Sequence, residues 1–195
     1  VRAFPREKIP LPPDFRALNF VAGMPLDIEI GCGVGFHPLR YARENPERQL
    51  VAFERTAEKF ARFQGRLAHH PALPNLQAVR GDAIPWITHS FGAESVDRYF
   101  ILYPNPYPKE SQRNLRFHEM PFFSVIMETL KRGGTLTLAT NMEFYRDGAR
   151  EKIVGEWGLE VVTEGRIAPD AVPRTHFEKK YLLRGEACWN LIFTK

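Results

Sequence analysis

The sequence predicts an α/β protein: an open, mostly parallel seven-stranded sheet with helices on both faces and an antiparallel hairpin on one edge. Three observations carry that reading. From residue 26 onward, short apolar runs alternate with stretches of helical period. Gly, Gly-Gly or Asn-Pro punctuates many of the joins. The last two apolar runs are separated by a loop of about twenty residues without helical period, so they are expected to pair antiparallel.

Residues 1–25 are expected to form an irregular arm, because Pro5, Pro10, Pro12, Pro13 and Pro25 break any helix, and residues 26–195 a single domain. Leu26 to Ile30 reads as the first strand and runs into a glycine cluster. His37 to Asn45 carries Leu39 and Tyr41-Ala42 at helical spacing, and Asn45-Pro46 stops it. Leu50 to Phe53 is the second strand, followed by a helix with Phe60, Phe63 and Leu67 on one face. Leu76 to Val79 is the third, with a short helix around Ile84 to Phe91. Val96 to Leu102 is the fourth and leads into a loop holding Pro104, Pro106 and Pro108. Met120, Phe123, Met127 and Leu130 stripe a helix expected to end at Gly133-Gly134, where glycine suits a C-terminal cap. Thr135 to Thr140 is the fifth strand, and Tyr145, Ala149 and Ile153 mark the helix after it. Leu159 to Thr163 and Ala187 to Phe193 complete the sheet, with Trp86, Trp157 and Trp189 expected in the core.

Hydrophobic residues at 44% and charged residues at 26% are ordinary for a globular protein and exclude a disordered chain, a coiled coil or a fibre. The two cysteines, Cys32 and Cys188, make no disulfide framework and fit a reducing cytoplasm. No apolar run approaches the ~20 residues that span a bilayer, and residues 1–13 carry no signal-peptide core, so no membrane partner is expected. Val1 in place of Met fits a trimmed chain. The net charge of +4 permits an anionic partner, and the histidines and cysteines show no zinc spacing, so no metal is expected.

In doubly wound sheets the ligand lies beyond the carboxyl ends of the strands, near the point where strand order reverses. The loop there is Glu29-Ile30-Gly31-Cys32-Gly33-Val34-Gly35, in which alternate glycines allow sharp turns and close backbone approach. A dinucleotide fingerprint would need its third glycine at Phe36, so the loop is not shaped for a pyrophosphate. Glu29 would instead attract an ammonium group. Glu54, directly after the second strand, can accept hydrogen bonds from both hydroxyls of a ribose, and Asp82 ends the third strand where an adenine edge would lie. A ribose, an adenine and a cationic amino acid together describe S-adenosylmethionine. After the fourth strand, three prolines hold a rigid loop where a transferred methyl would emerge. There Tyr107 can stack on a base, and Lys109, Arg113 and Arg116 can meet phosphates.

The runs Glu29 to Gly35, Asn75-Leu76 with Gly81-Asp82-Ala83, Tyr103 to Lys109, Ala139-Thr140-Asn141 with Glu143, and Thr175-His176-Phe177-Glu178 resemble, in order and spacing, the bacterial tRNA guanine-N7 methyltransferases. The resemblance spans about residues 26 to 195. It implies a Rossmann-like class I S-adenosylmethionine-dependent methyltransferase that modifies guanine-N7 in the tRNA variable loop, as a monomer or weak homodimer in the cytoplasm. Carried over by position, Glu29, Gly31, Gly33, Gly35, Glu54, Asp82 and Asn105 would bind the cofactor. Tyr107, Lys109, Asn141, Thr175, His176, Phe177 and Glu178 would hold the substrate, with Asn105 at the reacting methyl. The basic residues Arg174, Lys179, Lys180 and Arg184 around that last motif would grip RNA. Two acids of the family pattern are amides here, Asn105 and Asn141. Asn105-Pro106-Tyr107 also looks like a compressed Asn-Pro-Pro-Tyr loop of amino-group methyltransferases, one proline short. Adenine or glutamine methylation, and a non-catalytic RNA-binding chain that keeps the cofactor pocket, therefore stand as alternatives.

Overall fold

Parallel strands can be joined only by crossovers, so the alternating pattern forces helices onto both faces of the sheet. The structure is a computed structural model that describes residues 3–70 and 72–195. Val1 and Arg2 of the expected arm, and Pro71, lie outside the described residues. Among the described residues there are seven strands: β1 (Leu26–Ile30), β2 (Gln49–Glu54), β3 (Leu76–Arg80), β4 (Val96–Leu102), β5 (Leu130–Thr140), β6 (Glu160–Arg166) and β7 (Trp189–Thr194). They lie in the order β3-β2-β1-β4-β5-β7-β6. The first five are parallel, and β7 inserts antiparallel to both β5 and β6. Strand order reverses between β1 and β4, which opens a crevice at their carboxyl ends.

Period-two alternation divides the core. Ile28, Val51, Phe53, Tyr99 and Ile101 face one side, under α3 (Ala83–Ser90), α4 (Phe123–Thr129) and α5 (Glu143–Gly155). Leu50, Ala52, Phe100 and Leu102 face the other, under α1 (Phe36–Glu44) and α2 (Ala57–Ala68). Because both faces are covered, β1 is buried throughout, its acids included. Asp27 is stabilised there by Arg48, at 2.5 and 2.7 Å, and by the Tyr41 hydroxyl at 2.7 Å. Burial, with Asp27 alongside, pushes the Tyr41 phenol up to about 12. Trp86 is fully buried, whereas Trp157 and Trp189 pack partly buried against the core.

Two expectations need correction. The helix predicted to run to Gly133-Gly134 stops at Thr129, and Leu130 already pairs with Val96 in the sheet. Residues 131–134 bulge out before pairing resumes at Thr135 opposite Arg98. Lys131 holds Asp97 at 2.8 Å inside that bulge, and Gly134 is tight because a Cβ would lie 2.9 Å from the Asp97 carbonyl. The glycines therefore serve a bulge rather than a helix cap. The loop between the last two strands is also not free of helix, since α6 (His176–Leu183) forms within it. It shows no apolar period because its only buried residue is Glu178. Among the described residues, no helix is long and apolar enough to cross a membrane.

Candidate active site

Gly31, Gly33 and Gly35 all adopt the left-handed region, with φ of +77°, +61° and +85°. Their reasons differ. At Gly35 a Cβ would strike Phe63 of α2 at 2.0 Å, so this glycine lets α1 and α2 close together. At Gly31 and Gly33 no heavy atom lies within 4 Å of the Cβ position, and both line a cavity of about 450 Å³. Side chains there would enter the volume a ligand needs, and positive φ disfavours them in any case.

The cavity extends over the ends of the parallel strands. Glu54 lines it with both oxygens held by backbone donors: Gly33 N–H donates to one at 2.9 Å and Thr56 N–H to the other at 2.6 Å. Each oxygen keeps a lone pair for a ligand hydroxyl. Asp82 caps α3 by accepting from Ile84 N–H at 3.0 Å, and its second oxygen faces Arg55 at 4.0 Å. Glu29 is buried on β1 with His37 Nδ1 2.8 Å from its carboxylate, and it lines an adjoining cavity of about 270 Å³. Cys32 is buried beside it, and burial, with Glu29 and Glu54 close by, pushes its thiol well up. A glycine cradle opening on a cavity of this size, with fixed acids at the ends of β2 and β3, fits S-adenosylmethionine.

The far wall of the larger cavity is the loop after β4. Tyr103 and Tyr107 both have positive φ, +54° and +45°, which side chains rarely adopt without support from their surroundings. Asn105 is exposed at the cavity, and its side-chain oxygen accepts only a long 3.4 Å bond from Tyr107 N–H. Tyr107 lines the cavity too. Arg116 is buried and donates twice to the Tyr107 carbonyl, at 3.1 and 3.2 Å, so it supports the loop instead of facing a phosphate. Arg113 is taken by Glu119 at 2.6 Å. Lys109 is exposed and lines neither cavity.

Tyr103 finds its support on α6. Its hydroxyl donates to Glu178 at 2.7 Å. Glu178 is 1% exposed and also receives the Arg174 guanidinium at 2.7 Å and Arg174 N–H at 2.8 Å. Burial alone would raise the Glu178 carboxyl, but Arg174 holds it below the usual carboxylate range. Burial, reinforced by Cys188 and Glu178, pushes the Tyr103 phenol strongly up, so it remains a donor. Arg174 is bound further to Asn190 at 2.7 Å. Glu178 therefore lines neither cavity; it fixes Tyr103 and α6 to each other. Thr175, His176 and Phe177 do reach the cavities, with Phe177 touching both. Asn141 stands apart from both, donating to Glu186 at 2.8 Å.

Tyr103, Arg55, Lys59, Phe117 and Met120 also line the larger cavity. None of these was singled out as a ligand contact by periodicity or spacing. The helix at Thr175 did have a local signal: Thr175-x-x-Glu178 is a capping-box pattern, and Thr175 Oγ1 accepts from Glu178 N–H at 2.9 Å.

The methyltransferase family Methyltransf_4 matches residues 24–191. The tRNA (guanine-N(7)-)-methyltransferase of Anaeromyxobacter dehalogenans (strain 2CP-C) is 35% identical, covering 94% of this chain and 92% of its own length. The protein of the same name from Nitrosomonas eutropha is 32% identical, covering 98% and 86%. The fold is shared with the 16S rRNA methyltransferase KamB, at TM-score 0.66 and 19% identity over 87% of each chain. It is also shared with a 16S rRNA (adenine(1408)-N(1))-methyltransferase from Catenulisporales acidiphilia solved with its cosubstrate SAM, at TM-score 0.59 and 15% identity over 87% and 85%. At these last identities the likeness carries the fold alone.

Proposed function

The chain belongs to the tRNA (guanine-N7-)-methyltransferase family, and on that premise we propose that it methylates guanine-N7 in the variable loop of tRNA, in the cytoplasm, using S-adenosylmethionine. The observation that carries the reading is one cavity bounded by Gly31, Gly33, Glu54 and Asp82 on one side and by Tyr103, Asn105 and Tyr107 on the other. A cofactor seat and a substrate-facing loop thereby share a single space. When bound, S-adenosylmethionine supplies an electrophilic methyl group.

The chain's own residues position and hold. Glu54 accepts from ribose hydroxyls, Asp82 stands at the adenine end, and the glycine loop carries the amino-acid end beside Glu29. The N7 atom of guanine already has a lone pair, so no residue need remove a proton, and alignment supplies most of the rate. Tyr107 packs against the base, and the Asn105 carbonyl oxygen faces the positive charge that develops on the purine. An amide does this less well than a carboxylate would, which slows the reaction without abolishing it. Phe177 closes the other side of the base, with Thr175 and His176 beside it in the adjoining cavity.

The test is nucleoside mass spectrometry on unmodified tRNA transcripts incubated with the protein and methyl-labelled cofactor. Labelled 7-methylguanosine is expected, with Asn105→Asp raising turnover by up to ~10²–10³-fold. Cofactor binding without any labelled guanosine would overturn the reading. Labelled methyladenosine would transfer it to amino-group chemistry.

A further inference from the structure

The smaller cavity carries features that cofactor binding does not use. It shares Gly31, Gly33, Thr56, Lys59, Leu102 and Phe177 with the larger one, then extends between α2 and α6. Lys59, Arg62 and Arg66 of α2 and Lys180 of α6 line it. Its two carboxylates are engaged, Glu29 with His37 and Glu58 with Arg62 at 2.7 Å. Among the described residues, Lys59, Arg66 and Lys180 have no salt-bridge partner, and the Arg66 Nε is buried without a hydrogen-bond partner.

Phe36 explains how Arg66 is held. It occupies the position where a dinucleotide fold would have its third glycine, and it is 37% exposed. One face carries the Arg66 guanidinium, 4.2 Å from the ring centroid, and His176 stacks on it with centroids 6.1 Å apart. Lys59 is placed likewise, 5.4 Å over the Phe177 ring. Cation–π contacts orient these cations without neutralising them. Unneutralised cations converging on a cavity next to the reaction site form an anion receptor.

We propose that the smaller cavity holds a backbone phosphate of the RNA substrate through Lys59, Arg66 and Lys180, with Phe36 as the positioning residue for Arg66. The inference rests on the tRNA reading above and assigns α2 a part in substrate binding. The other anion within reach is the cofactor's own carboxylate, and the experiment separates the two.

Lys59→Ala, Arg66→Ala and Lys180→Ala are compared with wild type in steady-state methylation of a tRNA transcript across a salt series, with S-adenosylmethionine affinity measured by calorimetry. Arg132→Ala serves as the control, removing an equal charge from the β5 bulge at the other end of the sheet. Each cavity variant should raise the KM for tRNA roughly fivefold, and the triple variant should flatten the salt dependence by about one phosphate's worth. Phe36→Leu should reproduce the Arg66→Ala effect on KM. The cofactor Kd should stay within about twofold in Arg66→Ala, Lys180→Ala and Phe36→Leu, which also reports an intact fold. Cavity variants that match Arg132→Ala would overturn the inference, and so would weakened cofactor binding with an unchanged KM for tRNA. If wild type itself makes no 7-methylguanosine, it is the tRNA reading that has failed.

Discussion

The two sides of the cavity are built differently. On the glycine-loop side each acid has a partner close in sequence, Asp82 in Ile84, Glu29 in His37 and Glu54 in Thr56, and Glu54 adds Gly33 from the loop after β1. On the opposite side the loop at Tyr103–Tyr107 is strained; the Tyr103 hydroxyl depends on Glu178, 75 residues away, while buried Arg116 of the same segment holds the Tyr107 carbonyl. A locally determined half can keep its shape while the other half is altered. Of the two amides that stand where the resemblance implies acids, Asn105 lies on the loop side of the cavity and Asn141 lines neither cavity.

The sharpest way to break the local half is Gly35→Ala. The added Cβ would sit 2.0 Å from Phe63 on a backbone at φ +85°, and neither aromatic packing nor the loop can yield cheaply. A loss of ~3 kcal/mol or more is expected in urea denaturation, with cofactor binding lost alongside. Glu178→Gln strikes the distant half instead. It leaves Arg174 beside a neutral amide, and because Arg174 is 27% exposed the cost should be about 2 kcal/mol, below that of a fully buried pair. Turnover should fall while the cofactor Kd holds; an equal loss of both would mean that the two halves are not independent.

Acid should act on a second buried group, with an effect of similar size. His118 lies 1% exposed against Tyr145, both ring nitrogens without a partner, and burial pulls it down to about 4. Its pKa is lower in the folded protein than in the unfolded chain, so between about 6.5 and 4 the unfolded state binds the extra proton. Stability should therefore drop as pH falls through that window, by about 2 kcal/mol from pH 7 to pH 5. His118→Leu should flatten this slope in denaturation series at the two pH values.

The same contrast governs what was legible. The strand ends with Glu29, Glu54 and Asp82 could be read because period-two alternation and glycine placement are local signals. By sequence Arg116 looks like a phosphate contact, because nothing near it marks it as buried; its place follows from its contacts with the Tyr107 carbonyl and the Phe144 ring, which form only in the fold. The substrate role of Glu178 is an implication of the resemblance, and its bonds to Tyr103 and Arg174 are likewise formed only in the fold. Thr175-x-x-Glu178 was legible as a helix start, but the absence of an apolar stripe masked the helix that follows it.

The alternation of strands and helices, the glycine loop and the acids at successive strand ends are all written into local sequence, because each depends on spacing within one element or one turn. Only the tertiary structure decided that Glu178 supports Tyr103, that residues 131–134 bulge, and that α2 and α6 bring Lys59, Arg66 and Lys180 around one cavity. Those outcomes are contacts between residues far apart in the chain. Their energies come from burial and from paired or unpaired charge, neither of which exists until the sheet and its covering helices have assembled.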